Sequence, residues 1–203
     1  MNKISEEQLG SFIEAGHETR NLEYKPGFAW NQNGNEWLTE KIIQTILAMT
    51  NTPSGGYVIL GIEEKDDKYN LKGVSDEHLK TYSDFDRIKG QIDGFTYSST
   101  EFDLSWGEYQ GNKFVVFAIQ EFYEWPVVCR HNGKKVDLLR KDDIYARSRR
   151  SPYGSIRATE LELREIIKLA IKKEKVERGQ QGWIQRPEVN AESFYKRQVK
   201  DLT

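Results

Sequence analysis

The sequence predicts an α+β fold in which a single mixed β-sheet is flanked by helices. Apolar residues recur at helical spacing in the segments 36–50 and 159–178. Continuous apolar runs at 57–62 and 114–119 are typical of strands that are covered on both faces. Because these strands are interspersed with helices along the chain, we expect helices packed on one sheet.

Four segments of the sequence predict helices. A short amphipathic helix is predicted over 6–15, and the helix over 36–50 has the broadest apolar stripe. Residues 76–92 predict a more polar helix, and 159–178 predicts a long, charged one. The inner face of the last helix is expected to consist of Leu161, Ile166, Leu169 and Ala170. Its exposed charge pairs are expected among Glu162, Arg164, Glu165, Lys168 and Lys172.

Shorter segments predict the strands. The first is Leu22–Lys25, where Leu22 and Tyr24 face one side and Glu23 and Lys25 the other. Residues 28–35 are rich in Asn and Gly and predict a loop. The complete set of predicted strands is 22–25, 57–62, 71–74, 114–119, 127–130 and 144–147.

Length and composition are those of one ordinary domain. The chain has 203 residues with 30 basic and 32 acidic side chains, so its formal net charge is −2. No apolar run approaches about 18 residues and no signal peptide is recognisable, so we expect a cytoplasmic protein without a membrane segment. The single cysteine, Cys129, excludes an internal disulfide framework and a cysteine-based zinc site. We expect a domain over 1–178 and a tail or docking arm over 179–203.

Charged residues cluster at the first predicted strand. Glu18, Glu23 and Lys25 lie close together in the sequence. Carboxylates that hold a divalent ion, with a lysine nearby, commonly neutralise the charge that develops on phosphate during phosphodiester cleavage. The solvated face of an edge strand with a Glu23–Lys25 ion pair explains the same residues without any chemistry. The pattern alone leaves both interpretations open.

The second feature is a turn that leads into a buried strand. Gly55-Gly56 allows a tight turn, and the strand that follows ends near Gly61 with Glu63 and Glu64 beyond it. A nucleotide-binding loop is weakly supported, because the pattern G-x-x-x-x-G-K-[ST] does not occur. No nucleotide cofactor is therefore expected.

The segment 130–150 is strongly basic. It holds eight Lys and Arg against three Asp, an excess of five positive charges, which fits a phosphate-binding patch. A solvated loop is the alternative. The predicted nucleic-acid-binding residues are Arg130, Lys134, Lys135, Arg140, Lys141, Arg147, Arg149 and Arg150. We expect Trp37 in the helix core, whereas Trp30 fits either the core or base stacking.

Together these motifs resemble the Schlafen AlbA_2 domain. The resemblance begins with Glu18 and Leu22-Glu23-Tyr24-Lys25 and continues through the Asn51–Glu64 block. It extends to Trp125-Pro126-Val127-Val128 and to Ile144-Tyr145-Ala146-Arg147-Ser148, covering roughly residues 10–170.

The resemblance implies nucleic-acid binding. In the RNA-cleaving members it also implies a three-carboxylate endoribonuclease centre that acts on structured RNA, such as tRNA, with a divalent metal. Those carboxylates correspond to Glu18, Glu23 and Glu64, with Glu63 as the alternative third ligand, and the metal would be Mg²⁺ or Mn²⁺. The family more often has Asp at the third position, and the longer Glu side chain could shift the metal.

Three functions follow as hypotheses. The first is a metal-dependent endoribonuclease. The second, its alternative, is a non-catalytic DNA- or RNA-binding regulatory module. The third is a restriction-type DNA nuclease, since Glu23-Tyr24-Lys25 satisfies the Glu-x-Lys pattern. Larger Schlafen proteins pair two lobes around a basic groove, so the resemblance also implies a homodimer in which the 179–203 arm crosses to the partner.

Overall fold

The computed structural model describes residues 1–14, 16–31, 34–65, 68–135, 137–150 and 154–180, with side chains as far as Lys175. The helices are α1 (Glu6–Ile13), α2 (Glu36–Thr50), α3 (Asp76–Lys80), α4 (Phe85–Asp93) and α5 (Glu160–Gln180). The strands are β1 (Asn2–Lys3), β2 (Leu22–Lys25), β3 (Gly56–Leu60), β4 (Ile62–Lys65), β5 (Lys68–Leu71), β6 (Phe102–Tyr109), β7 (Asn112–Ile119), β8 (Tyr145–Arg147) and β9 (Ser155–Arg157).

A mixed five-stranded sheet organises the fold, in the order β1-β6-β7-β3-β2. β2 runs parallel to β3, and β7 is antiparallel to both β3 and β6. Glu23 lies opposite Val58 in this register. Two separate hairpins, β4-β5 and β8-β9, accompany the sheet. The predicted α+β class with one mixed sheet is confirmed.

Both faces of the sheet are covered, which explains the apolar run in β3. Val58 and Leu60 belong to one core cluster with α2, whereas Ile59 belongs to a second cluster with Leu9 of α1. Alternate residues of a strand point to opposite faces, so a strand between two helical layers needs apolar residues at every position. Each such buried aliphatic side chain contributes roughly 1.5–3 kcal/mol to stability.

The apolar run at 57–62 is two elements and not one strand. Gly61 adopts φ +112°, and a Cβ there would lie 2.9 Å from Cα of Gly73. The left-handed region and this close approach both require glycine, so the chain turns out of the sheet at Gly61 and begins the β4-β5 hairpin.

Other predicted elements also differ from the structure. The predicted helix over 76–92 is split into α3 and α4, and only Leu71 of the predicted strand 71–74 lies in β5. The predicted strand 127–130 is wrong, because that segment makes only an isolated β-bridge through Cys129. The strands β1, β6 and β9 were not predicted, although β6 carries alternating Phe102, Leu104 and Trp106.

Burial overturns two expectations about large apolar side chains, those for Trp37 and Leu161, and decides the open choice for Trp30. Trp37 is 50% exposed and so is not a core residue, whereas Trp30 is buried in the core. Ile166 of α5 is buried as predicted, but Leu161 is exposed. Cys129 is also buried. Within the described part of the chain, no helix combines the length and apolar character that a membrane crossing requires.

α5 continues through Gln180, two residues beyond the predicted domain boundary. Residues 181–203, most of the predicted arm, lie outside the described residues, so the division at 178 stays a prediction.

Candidate functional site

The first strand and the segment before it bring three of the predicted site residues together. Lys25 Nζ lies 2.6 Å from Glu23 Oε1 and 3.7 Å from Glu18 Oε1. Glu23 and Lys25 share a strand face, as their spacing of two predicts. Glu18 is held against them because its Oε1 accepts a hydrogen bond of 2.8 Å from the Tyr24 backbone N–H.

Arg147 of β8 completes this cluster from the opposite side. Its guanidinium is fully buried and forms an ion pair with Glu23 Oε2. Nη2 donates to the Thr19 carbonyl at 2.9 Å, and Nε donates to the Arg20 carbonyl at 3.1 Å. Both carboxylate oxygens of Glu23 therefore face a cation, Arg147 on one side and Lys25 on the other.

A second ion pair ties this cluster to α5. Arg20 Nε donates to the Arg147 carbonyl at 2.7 Å, and Arg20 Nη1 donates to Glu165 Oε1 at 3.0 Å. Hydrogen bonding from Arg20 lowers the pKa of Glu165 below its usual 4.5. The pair therefore contributes stability above about pH 4.5, and this contribution is lost as the pH falls through the lower folded-state pKa.

Burial shifts the pKa of two further groups around Glu23, the Glu18 carboxyl and the Lys41 ammonium. It raises the pKa of the Glu18 carboxyl above 4.5, although Lys25 and the Tyr24 N–H act in the opposite direction. It lowers the pKa of the Lys41 ammonium below 10.5, although Glu23 opposes this shift. The cluster thus surrounds two carboxylates with the cations Lys25, Lys41 and Arg147.

The third predicted carboxylate does not join this cluster. Glu64 is exposed on β4, where its backbone pairs with Tyr69, and Glu63 forms an ion pair with Lys72. Among the residues that the structure describes, no three His, Cys, Asp or Glu side chains form a group that could hold a metal ion. Since Glu23 is already neutralised by Arg147 and Lys25, the residues present do not fit a divalent metal held by Glu18, Glu23 and Glu64.

The predicted basic surface also changes, because Arg147 lies in the interior. Its burial and its pairing with Glu23 remove it from contact with a surface ligand. The other seven predicted cations are exposed: Arg130, Lys134, Lys135, Arg140, Lys141, Arg149 and Arg150.

These exposed cations include residues from two separate regions, a loop held against α2 and the segment beside α5. The backbone N–H groups of Lys134 and Lys135 donate to the Glu40 carboxylate of α2, at 2.6 and 3.1 Å, which holds that loop against the domain. Arg140 in the same loop forms an ion pair with Asp137. Arg149, by contrast, reaches α5, where its Nη2 lies 2.7 Å from Glu165 Oε1.

A basic groove runs along α5, and Arg149 and Arg150 are the residues of the predicted basic segment that line it. A cavity of about 550 Å³ is lined by two carboxylates, Leu161 and four cations, namely Arg149, Arg150, Arg164 and Lys168. A second cavity of about 380 Å³ shares Lys168 and adds Ile171, Lys172 and Lys175. We call these two cavities the α5 groove.

The two carboxylates of the α5 groove are both held by partners within the domain. Glu162 is buried and accepts a hydrogen bond of 2.8 Å from the Ser148 hydroxyl, and Glu165 is paired with both Arg20 and Arg149. Glu162 is therefore not one of the predicted exposed charge pairs. The cations recur at positions 164, 168, 172 and 175, a helical spacing that could have revealed the groove from the sequence.

The fold and the site together define a class of protein. It is an α+β domain with a mixed sheet and a cation-lined groove beside its last helix. The chain belongs to the Schlafen AlbA_2 family, whose model matches residues 18–153. The match includes Glu18, Glu23, Arg147 and the basic segment, and family membership supports a nucleic-acid-related function.

Solved structures that are similar to this chain include the following two. The DIP2311 protein from Corynebacterium diphtheriae is 16% identical, with a TM-score of 0.48 over 80% of this chain. The chain covers only 28% of that protein. The N-terminal domain of an ATP-dependent DNA helicase RecG-related protein from Nitrosomonas europaea is 17% identical, with a TM-score of 0.43, over 68% of this chain and 88% of that one. No curated protein matches the chain.

Proposed function

We propose that this protein binds nucleic acid through the α5 groove, as a module whose binding needs no metal ion. The observation that carries the proposal is the set of cations lining the groove, Arg149, Arg150, Arg164 and Lys168. Arg149 and Arg164 are 76% and 70% exposed, and their ion pairs with Glu165 and Glu160 lie at the surface, where such pairs contribute little and a phosphate oxygen can replace the carboxylate. Arginine is well suited to this contact, because its planar fork of donors matches phosphate.

The buried cluster supports this function by positioning the groove. Arg147 is anchored to Glu23 and to the carbonyls of Thr19 and Arg20, and Arg149 follows it by two residues. Arg20 holds α5 through Glu165 on the same side of the cluster. The two walls of the groove, the segment after β8 and the first turns of α5, are thus attached to one rigid set of ion pairs.

Binding of the parent protein is the first prediction. We expect an oligonucleotide to bind with an affinity that falls steeply with salt, with a slope of log K against log salt of about −3 for four phosphate contacts. Fluorescence anisotropy with labelled RNA and DNA, repeated with EDTA, measures both properties. A slope near zero, or binding that disappears in EDTA, would contradict the proposal.

Cleavage of structured RNA is the second candidate function. The convergence of Glu18, Glu23 and Lys25 favours it, with Mg²⁺ or Mn²⁺ as the metal in the family-derived hypothesis. The ion pairs around Glu23 and the separate position of Glu64 argue against it.

Incubation with tRNA and either metal separates the two candidates. We expect the tRNA to remain intact, because Glu23 is held by Arg147 and Lys25. Metal-dependent cleavage that Glu64→Gln abolishes would establish the endoribonuclease instead. Glu64 is exposed, so this variant tests the third carboxylate without disturbing the buried cluster.

The homodimer, the cytoplasmic location and the choice between RNA and DNA stay predictions. A strong preference for duplex DNA would favour the restriction-type hypothesis.

A further inference from the structure

The loop after β7 displays two large aromatic side chains to solvent. Tyr123 is 77% exposed and Trp125 is 63% exposed, with only Glu124 between them. Single exposed aromatic residues are common, but two this large within three residues mark a candidate site of contact with a ligand. We call residues 123–126 the aromatic loop.

Both ends of the aromatic loop are fixed to the end of α2. The Phe122 N–H donates to the Thr50 carbonyl at 2.8 Å. The Val127 N–H donates to Asn51 Oδ1 at 2.8 Å, and Asn51 Nδ2 donates back to the Val127 carbonyl at 2.8 Å. The side chains of Phe122 and Val127 are buried, so the residues between these anchors project outward.

The aromatic loop also lies beside the cations of α5. Glu121 Oε1 is 2.8 Å from Lys173 Nζ, which in turn lies 5.4 Å from the ring centroid of Phe122. Since two residues span at most about 7 Å, Tyr123 is close to this turn of the helix. Burial would raise the pKa of the Glu121 carboxyl, but hydrogen bonding from Lys173 and the charges of Lys173 and Lys172 lower it. Lys172, which lines the α5 groove, therefore lies near the base of the aromatic loop.

We propose that the aromatic loop stacks on unpaired bases of a single-stranded nucleic acid whose phosphates lie on the cations of α5. The inference rests on the proposed function and names its substrate class. Every base has a π face that an aromatic ring can cover, and this face is accessible in a single strand but hidden in a duplex. Aromatic rings beside a line of cations are the combination that single-strand binding requires.

The test compares one oligonucleotide as a single strand and as a duplex, at equal salt, against the parent and the variant Tyr123→Ala/Trp125→Ala. We expect the parent to prefer the single strand. The double variant should lose roughly fivefold to 150-fold in single-strand affinity for each base that is stacked, with duplex affinity unchanged. The salt slope should also stay unchanged, because stacking releases no counterions.

Trp37→Ala is the matched control, since Trp37 is another half-exposed tryptophan at the opposite end of α2, about 20 Å from the anchors of the aromatic loop. It should bind both forms like the parent. Unchanged single-strand affinity of the double variant would overturn the inference while leaving the proposed function intact. The inference would also be overturned if the double variant lost equal affinity for the single strand and the duplex. The same holds if light scattering showed that the double variant changes from dimer to monomer while it retains its affinity. A parent that binds neither form would overturn both.

Discussion

Replacing Arg147 with methionine is expected to lower the free energy of unfolding by about 3 kcal/mol or more. The substitution fills much of the volume but removes the cation that neutralises Glu23, whose carboxylate is only 1% exposed. Breaking one partner of a buried ion pair leaves an uncompensated charge away from water, which is among the largest single-residue effects on stability. Lys25 still contacts Glu23, so we expect the lower end of the usual range of about 3–5 kcal/mol.

Urea denaturation followed by circular dichroism measures this change. Arg149→Met is the matched control two residues away, and because Arg149 is exposed its loss should change stability by less than about 0.5 kcal/mol. The double variant Glu23→Leu/Arg147→Met should recover part of the lost stability, because it removes the buried carboxylate as well. A change of less than about 1 kcal/mol for Arg147→Met would show that the ion pair does not hold the fold together.

Reversing two charges in the α5 groove, with Arg164→Glu and Lys168→Glu, is expected to weaken nucleic-acid binding by about 100-fold at moderate salt. Each cation that contacts a phosphate contributes to the release of counterions, so the salt slope should also become shallower by about 1.5. Both side chains are exposed, and thermal unfolding should confirm that the variant remains folded.

The matched control for this reversal is Lys65→Glu with Lys80→Glu, which changes the net charge equally at exposed positions outside the groove. It should lower affinity only slightly. The same reversal at Arg140 and Lys141 tests the loop at residues 130–143, and we expect a smaller loss because neither residue lines the α5 groove. A larger loss at Arg140 and Lys141 than at Arg164 and Lys168 would move the binding surface to that loop.

Much of the fold could be predicted because its signals are local. The stripe of α2 and the alternation of Leu22 and Tyr24 in β2 follow from periodicity alone. The continuous apolar run of β3 predicted burial on both faces, and the two core clusters show it. The break at Gly61 could not be predicted in this way, because it depends on the close approach of Gly73 from another part of the chain.

The candidate site divides in the same way. Spacing predicted that Glu23 and Lys25 share a face, and they form an ion pair. Arg147 was assigned to a basic surface because its neighbours in sequence are basic, yet it is fully buried against Glu23. Local sequence cannot distinguish a solvated arginine from a buried one, since the difference is set by a partner 124 positions away.

By itself, the sequence determined the α+β class, the Schlafen AlbA_2 membership and the presence of a basic region, because periodicity, motif order and charge are properties of the chain. Only the tertiary structure decided which charges meet. It placed the cations Arg147 and Lys25 on Glu23, left Glu64 apart, and lined a groove with Arg149 and α5. The physical reason is that burial and ion pairing depend on distance in space, which the order of residues does not specify.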